Sequence, residues 1–147
     1  HDTTLGNALG GTRRWCYASE AEGIMDVLRL SEGMTYKAAA ADLAMGGAKS
    51  VILLDNPGQE ATEAQARAMG RFVDTVQGAY IAAEDVGVSP QFCAWMHDET
   101  DRVRGAEGPG RGGCSGGGGT GGTRGGASGW TRRATSAARP CRDTSRG

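Results

Sequence analysis

The chain has 147 residues, 26 of them glycine, and a formal net charge of −1, which suits about one domain. No run of about 18 apolar residues is present, so the sequence excludes a membrane-spanning helix and predicts no membrane partner. The cysteines show no CxxC spacing and the chain has only 2 histidines, so we expect no metal site. A reducing cytoplasm is the simplest location for such a chain.

The distribution of charge divides the chain into two parts. Residues 1–104 contain 9 basic and 15 acidic residues, whereas residues 105–147 contain 7 arginines and 2 acidic residues. No Val, Ile, Leu, Met, Phe or Tyr follows Val103, and 14 glycines lie between Gly105 and Gly129. A segment without large apolar side chains cannot bury enough surface to offset its conformational entropy. We therefore expect a folded domain over residues 1–104 and a disordered, Gly/Arg-rich tail over residues 105–147.

The first half of the domain predicts a strand, a long helix and a second strand. Residues 5–15 have the pattern of a glycine-containing loop that enters a short strand. Ser19 and Glu22 form a capping-box pattern, and apolar residues at helical spacing behind it predict a helix over residues 20–43. Gly46 and Gly47 are expected to end this helix. The apolar run over residues 50–54 predicts a strand that is buried on both faces.

The second half of the domain predicts two further helices with a strand between them. The pattern indicates a helix over residues 61–77 and a strand over residues 80–83. Ser89 and Pro90 are a favourable N-cap and first position for a final helix. The residues expected on the apolar face of the 61–77 helix are Met69, Phe72, Val73 and Val76. This alternation favours an α/β fold, a layered αβα sandwich with a short mixed sheet.

Two lysines are candidates for chemistry because the other 14 basic residues are all arginine. Lysine can lose its proton when it is buried, whereas arginine stays charged. Lys49 follows a glycine pair, but the order helix, loop, strand excludes a P-loop; we expect it at the mouth of a buried strand, where it can act on a carbonyl. Lys37 lies near the apolar face of its helix, where it either snorkels or binds an anion. Chance placement of two surface lysines is the alternative.

Two further patterns indicate a ligand cleft. Glu84 and Asp85 directly follow a strand, and open α/β sheets bind ligands at the carboxyl ends of their strands. A turn that simply ends the strand is the alternative. The glycine pair at positions 10 and 11 permits close approach of the backbone to a ligand, although this signal is weak by itself.

Taken together, these motifs resemble those of the amino-acid dehydrogenase family that includes the glutamate, leucine, phenylalanine and valine dehydrogenases, and most closely the leucine dehydrogenases. The resemblance extends over residues 1 to about 105 and keeps the order and nearly the spacing of the family. Its motifs are residues 1–6 (HDTTLG), 9–13 (LGGTR), 33–37 (GMTYK), 46–49 (GGAK), 70–72 (GRF), 80–87 (YIAAEDVG) and 97–100 (HDET).

The resemblance implies a role for each matching residue. Lys37 matches the lysine that holds the substrate carboxylate. Lys49 matches the catalytic lysine that polarises the carbonyl or carbinolamine oxygen, and a second positive charge nearby would favour its neutral, basic form. Asp85 matches the acid that carries protons to and from the substrate nitrogen, beside the cofactor. The residues expected to line the substrate cleft are Leu9, Gly10, Gly11 and Ala83, with Leu9 and Ala83 suited to an aliphatic side chain.

The implied reaction is the NAD-dependent oxidative deamination of a leucine-like L-amino acid to its 2-oxo acid and ammonia, in a homo-oligomer. This chain departs from the family at two positions: members more often have Pro at the position of Asn7 and Gly at the position of Ala48. The family has a dinucleotide-binding domain of Rossmann type after the position of residue 105, where residues 105–147 show no such pattern, and we expect the first domain to be incomplete at its start. We therefore expect the 147-residue chain to be inactive alone.

The residues after 104 leave three interpretations open. A frameshift in GC-rich coding sequence explains the Gly, Arg, Ala and Pro bias; the other two reading frames must then encode a strand and a glycine-rich dinucleotide motif. Alternatively, the folded domain over residues 1–104 acts only as an oligomerisation module. RGG units at residues 111–113 and 124–126 make RNA binding a third interpretation, although nucleic acid is an improbable partner at this modest charge. Filter binding at low salt tests it.

Overall fold

The computed structural model describes residues 1–105. The predicted Gly/Arg-rich tail, its RGG units and the proposed frameshift lie outside these residues. The described part confirms the α/β class. Its elements are the strands β1 (Ala8–Trp15), β2 (Gly46–Gly47), β3 (Ser50–Leu53) and β4 (Tyr80–Glu84) and the helices α1 (Glu20–Ala40), α2 (Glu63–Thr75) and α3 (Pro90–His97).

Strand β1 lies at the centre of the sheet. One of its edges pairs in parallel with β4, in the register Ala8 to Tyr80. Its other edge pairs in parallel with β2 and then with β3, and both ladders keep the same register. Beyond β4, a parallel bridge joins Ala82 to Val103, and one antiparallel bridge joins Asp2 to Gly47. Among the described residues, the mixed character of the sheet is therefore confined to that antiparallel bridge.

The helices begin where the sequence places hydroxyl side chains. Ser19 is the N-cap of α1 and accepts a hydrogen bond from the backbone N–H of Glu22. Thr62 caps α2 in the same way, and Ser89 caps α3 ahead of Pro90. Each cap satisfies a backbone N–H group that the first turn of a helix leaves without a partner.

The apolar core lies between one face of the sheet and the helices α2 and α3. Its largest fully buried side chains include Phe92, Met96 and Val73. A short chain of buried hydrogen bonds crosses the sheet beneath this core. The Ser50 hydroxyl lies 2.9 Å from Thr12 Oγ1 and 2.8 Å from the Tyr80 hydroxyl, which in turn lies 2.9 Å from the Gly10 carbonyl oxygen. These bonds satisfy the polar groups that the core buries.

The end of α1 and the glycine pair after it differ from the sequence prediction. The helix ends at Ala40 rather than near residue 43, and Asp42 has a positive φ of 53°. Gly46 and Gly47 do not end the helix; they form β2. A Cβ atom on Gly47 would lie 2.0 Å from the Thr35 backbone nitrogen, so this glycine allows α1 to pack directly on the strand.

Other elements differ in extent or burial from their predictions. Strand β1 follows a loop as expected, but it is eight residues long and lies at the centre of the sheet. Strand β3 is not buried on both faces, because it lies at the edge of the described sheet and Leu53 is exposed. The helix predicted over residues 61–77 spans 63–75, and Phe72 points to solvent. Within residues 1–105, no helix is long and apolar enough to cross a membrane.

Candidate active site

The two faces of the sheet carry different residues because side chains alternate along each strand. On β1, Thr12 and Arg14 are buried on the face that holds the apolar core. Gly11 and Arg13 therefore lie on the opposite face. Gly11 pairs with Ala83 on β4, so Ala83 shares that opposite face, and Asp85 continues it past the end of the strand. Charged side chains collect on this second face.

The backbone between β2 and β3 departs from the ladder at Ala48 and Lys49, and glycines on β1 make room for this departure. A Cβ atom on Gly10 would lie 1.6 Å from the Ala48 carbonyl oxygen. A Cβ on Gly11 would lie 2.6 Å from Asp85 Cβ and 3.2 Å from Lys49 Nζ. Gly11 thus lies directly beneath the charged groups. At Gly10, which faces the core, the backbone of Ala48 fills the space that a side chain would need.

Lys49 and Asp85 form an ion pair on this face. The distance from Lys49 Nζ to Asp85 Oδ2 is 2.8 Å, and only 6% of the Lys49 side chain is exposed. The structure thus brings together the two residues that the sequence analysis predicted as catalytic. The charged neighbour of Lys49 is a carboxylate and not the second lysine that the sequence analysis expected nearby.

Arg13 joins this pair, and the sequence analysis did not predict it. Arg13 Nε donates to Asp85 Oδ2 over 3.0 Å, and Arg13 Nη1 donates to Asp26 Oδ2 on α1, also over 3.0 Å. The Tyr17 hydroxyl donates to the same Asp26 oxygen over 2.5 Å. The only signal in the sequence was the position of Arg13, two residues after Gly11 and therefore on the same face of the strand.

The surroundings of this cluster shift the pKa values of Asp85 and Tyr17. Partial burial works to raise the pKa of Asp85, but the hydrogen bonds and positive charges of Lys49 and Arg13 outweigh it and hold the pKa below its ordinary value. Burial, the hydrogen bond to Asp26 and the charge of Asp26 raise the pKa of Tyr17 to about 12. Asp85 is therefore ionised at neutral pH and able to accept a proton.

The other predicted site residues lie farther from the ion pair. Leu9 and Ala83 are half-buried on the same face as Gly11. Lys37 is exposed in the last turn of α1 and forms no ion pair within residues 1–105. The structure thus brings together Gly11, Lys49 and Asp85 but does not bring Lys37 into contact with them. The roles of all the predicted site residues stay predictions: Lys37, Leu9, Gly10, Gly11, Ala83, Lys49 and Asp85.

The described residues do not fit a dinucleotide cofactor by themselves. Such a cofactor binds where a strand passes through a glycine-rich turn into a helix. In this chain Gly10 and Gly11 lie within β1, and neighbouring atoms fill the space above them. Residues 1–105 also contain no group of three or more His, Cys, Asp or Glu side chains arranged to hold a metal ion.

The fold and this site define an α/β domain with a buried lysine–aspartate pair at the carboxyl end of parallel strands. Residues 1–102 match the family model described as "Glu/Leu/Phe/Val dehydrogenase, dimerisation domain". The chain therefore belongs to the Glu/Leu/Phe/Val dehydrogenase family, which confirms the resemblance seen in the sequence.

Similar proteins act on different amino acids. The chain is 55% identical over 105 residues to a leucine dehydrogenase of Bacillus cereus, covering 71% of this chain and 28% of that protein. It is 47% identical to a phenylalanine dehydrogenase of Lysinibacillus sphaericus, covering 71% of this chain and 27% of that protein. The crystal structure of L-tryptophan dehydrogenase from Nostoc punctiforme matches with a TM-score of 0.66 and 45% identity, over 70% of this chain and 30% of that one. The chain thus spans less than a third of the length of these relatives.

Proposed function

We propose that residues 1–105 form the substrate-binding and acid–base half of an NAD-dependent amino-acid dehydrogenase that deaminates a leucine-like L-amino acid to its 2-oxo acid and ammonia. The observation that carries the proposal is the 2.8 Å contact between a nearly buried Lys49 amine and the Asp85 carboxylate. Membership of the dehydrogenase family and the 55% identity to a leucine dehydrogenase support it.

Within this proposal, Asp85 handles the protons of the substrate nitrogen. Because it is ionised, it accepts a proton from the substrate ammonium group and returns it to the nitrogen before ammonia leaves. Lys49 donates a hydrogen bond to the oxygen that water adds to the α-carbon, which stabilises negative charge on that oxygen. Oxidation needs a hydride acceptor; in this family that is NAD, whose binding fold residues 1–105 do not supply.

The substrate carboxylate and side chain are assigned to other residues of the same proposal. Lys37 supplies a positive charge for the carboxylate, as the family resemblance implies. Leu9 and Ala83 form an apolar wall beside Gly11, which suits an aliphatic side chain. Related dehydrogenases named for leucine, phenylalanine and tryptophan show that the substrate side chain differs within the family.

A hybrid enzyme tests this function directly. Residues 1–105 replace the matching segment of the Bacillus cereus leucine dehydrogenase, and NADH formation from L-leucine is measured. The hybrid is expected to turn over, and Lys49→Ala is expected to lower kcat by about 10²- to 10⁴-fold, the usual contribution of a positioned acid or base. Arg71→Ala is the matched control, because Arg71 is an exposed cation on α2. A Lys49→Ala hybrid with unchanged kcat would contradict the role of Lys49.

Association of two copies is a second part of the proposal. The matched family model is described as a dimerisation domain, so we expect the chain to form a homo-oligomer. Sedimentation velocity of the 147-residue chain over a range of concentrations checks this. A single monomeric species at every concentration would contradict it.

A further inference from the structure

The two oxygens of Asp85 have different surroundings. Oδ2 accepts hydrogen bonds from both Lys49 Nζ and Arg13 Nε, at 2.8 and 3.0 Å. Oδ1 accepts none within residues 1–105. Among these residues no buried polar side-chain atom lacks a partner, so Oδ1 is accessible from outside. The carboxylate is therefore held by one oxygen and presents the other.

Arg13 is itself held from the other side. Its Nη1 bonds Asp26 on α1, and the Tyr17 hydroxyl bonds the same Asp26 oxygen. The guanidinium group thus bridges a carboxylate on the helix and a carboxylate after β4, using two donors that point in different directions. A lysine has one nitrogen on a flexible chain and cannot hold both carboxylates in the same fixed geometry.

In the proposed reaction Lys49 has two partners. It gives one hydrogen bond to Asp85 and another to the substrate oxygen, so its position is set by both. Arg13 points toward Asp26 as well as Asp85 and has no part in binding that oxygen. Its contact with Oδ2 therefore persists while Lys49 serves the substrate.

We propose that Arg13 is a positioning residue that holds Asp85 through Oδ2, so that Oδ1 faces the substrate nitrogen. The inference rests on the proposed function of Lys49 and Asp85. It assigns Arg13 no contact with substrate; Arg13 acts through Asp85.

The first test uses the 147-residue chain and needs no activity. The ¹³C shift of the Asp85 carboxyl carbon is followed against pH by NMR. In Arg13→Met the pKa of Asp85 is expected to rise, because a neighbouring positive charge is lost. In Arg13→Lys it is expected to stay low, because the charge remains. The control is Arg71→Met, which removes an exposed cation on α2 and is expected to leave the Asp85 titration unchanged.

The second test separates positioning from charge. In the hybrid enzyme, Arg13→Lys is expected to lower kcat about 10- to 100-fold, since misplacement of a reacting group by about 1 Å costs that much. The KM for L-leucine is expected to stay within about threefold, because Arg13 does not bind substrate. Asp26→Asn, which weakens the anchor of Arg13 and keeps its shape, is expected to cause a smaller loss of kcat.

The outcomes distinguish this inference from the function beneath it. A hybrid of native sequence that forms no NADH contradicts the proposed function. An active hybrid in which Arg13→Lys and Asp26→Asn keep the full kcat overturns only the role of Arg13. An Asp85 titration that Arg13→Met leaves unmoved overturns that role as well, whatever the activity. If Arg13→Met does not fold, the kcat values of Arg13→Lys and Asp26→Asn in the hybrid enzyme decide whether Arg13 positions Asp85.

Discussion

The two faces of the sheet differ in what they bury: one buries apolar side chains, and the other buries a cluster of charged groups. The face toward α2 and α3 holds Phe92, Met96 and Val73, which are fully buried, and its polar groups are satisfied by the Thr12–Ser50–Tyr80 hydrogen bonds. On the opposite face beside β4, Gly11 leaves room for charged side chains. Over that glycine lies the Asp85 carboxylate, whose Oδ2 is 3.0 Å from Arg13 Nε and 2.8 Å from Lys49 Nζ.

This difference shows how one sheet separates stability from chemistry. Apolar burial stabilises the fold in proportion to the area removed from water, and the first face supplies it. On the second face, charged groups have lost some of their water, and this desolvation offsets part of that stability. Substitutions on the first face should therefore change folding, and substitutions on the second should change the site more than the fold.

The largest expected effect concerns the two phenylalanines. Phe92→Ala should lower the free energy of unfolding by about 3–5 kcal/mol, because it leaves a cavity in the apolar core between the sheet and helices α2 and α3. Phe72→Ala is the matched control: Phe72 is 54% exposed, and its loss should change stability by about 0.5 kcal/mol or less. Urea unfolding of both variants measures this. Equal costs would mean that the core is not where the structure places it.

The contrast between these two residues also marks the limit of the sequence analysis. The helical spacing placed both Phe72 and Val73 on one apolar face, but only Val73 is buried. Helical periodicity predicts the direction of the apolar face of a helix only to within about one residue. Which of two adjacent residues is buried depends on how the helix axis is oriented against the sheet. The caps at Ser19 and Ser89 were predicted correctly because a cap depends on local backbone geometry alone.

A second contrast shows why Arg13 was missed. Arg13 and Arg14 are adjacent and chemically identical, so the sequence gives no reason to separate them. In the structure Arg14 lies on the core face, 5.6 Å from the centre of the Phe92 ring, whereas Arg13 joins Asp85. The separation follows from strand alternation, which can be used only when the face of β1 is known. Lys49 and Asp85 were singled out by the scarcity of lysine and by a position at the end of a strand, and the family resemblance then implied a role for each.

The next expected effect tests the glycine under the charged cluster. Gly11→Ala should destabilise the chain by about 1–3 kcal/mol, because its Cβ would lie 2.6 Å from Asp85 Cβ and 2.9 Å from the Glu84 carbonyl oxygen. Gly33→Ala on α1 is the control. A Cβ there meets no atom within 4 Å, so alanine should stabilise the helix by about 0.5–1 kcal/mol. Effects of the same sign would contradict the packing described at Gly11.

A smaller effect concerns stability in acid. The pKa of Asp85 is lower in the folded chain than its ordinary value, so its ion pairs contribute stability above the ordinary value and lose it as pH falls through the folded value. In Asp85→Asn, the free energy of unfolding should therefore fall less steeply as the pH is lowered below about 4. Asp101→Asn, at an exposed carboxylate with no ion pair within residues 1–105, is the control. An unchanged acid slope in Asp85→Asn would contradict the cluster.

The smallest expected effect lies at the opposite end of the pH scale. The pKa of Tyr17 is raised to about 12, so the folded chain favours the protonated phenol. That contribution is fully present below about pH 10 and is lost as pH rises from there towards 12. Tyr17→Phe should remove this alkaline loss of stability, whereas Tyr36→Phe, at an exposed tyrosine, should keep it. An alkaline transition in Tyr17→Phe identical to that of the native chain would show that the hydrogen bond to Asp26 does not anchor the cluster to α1.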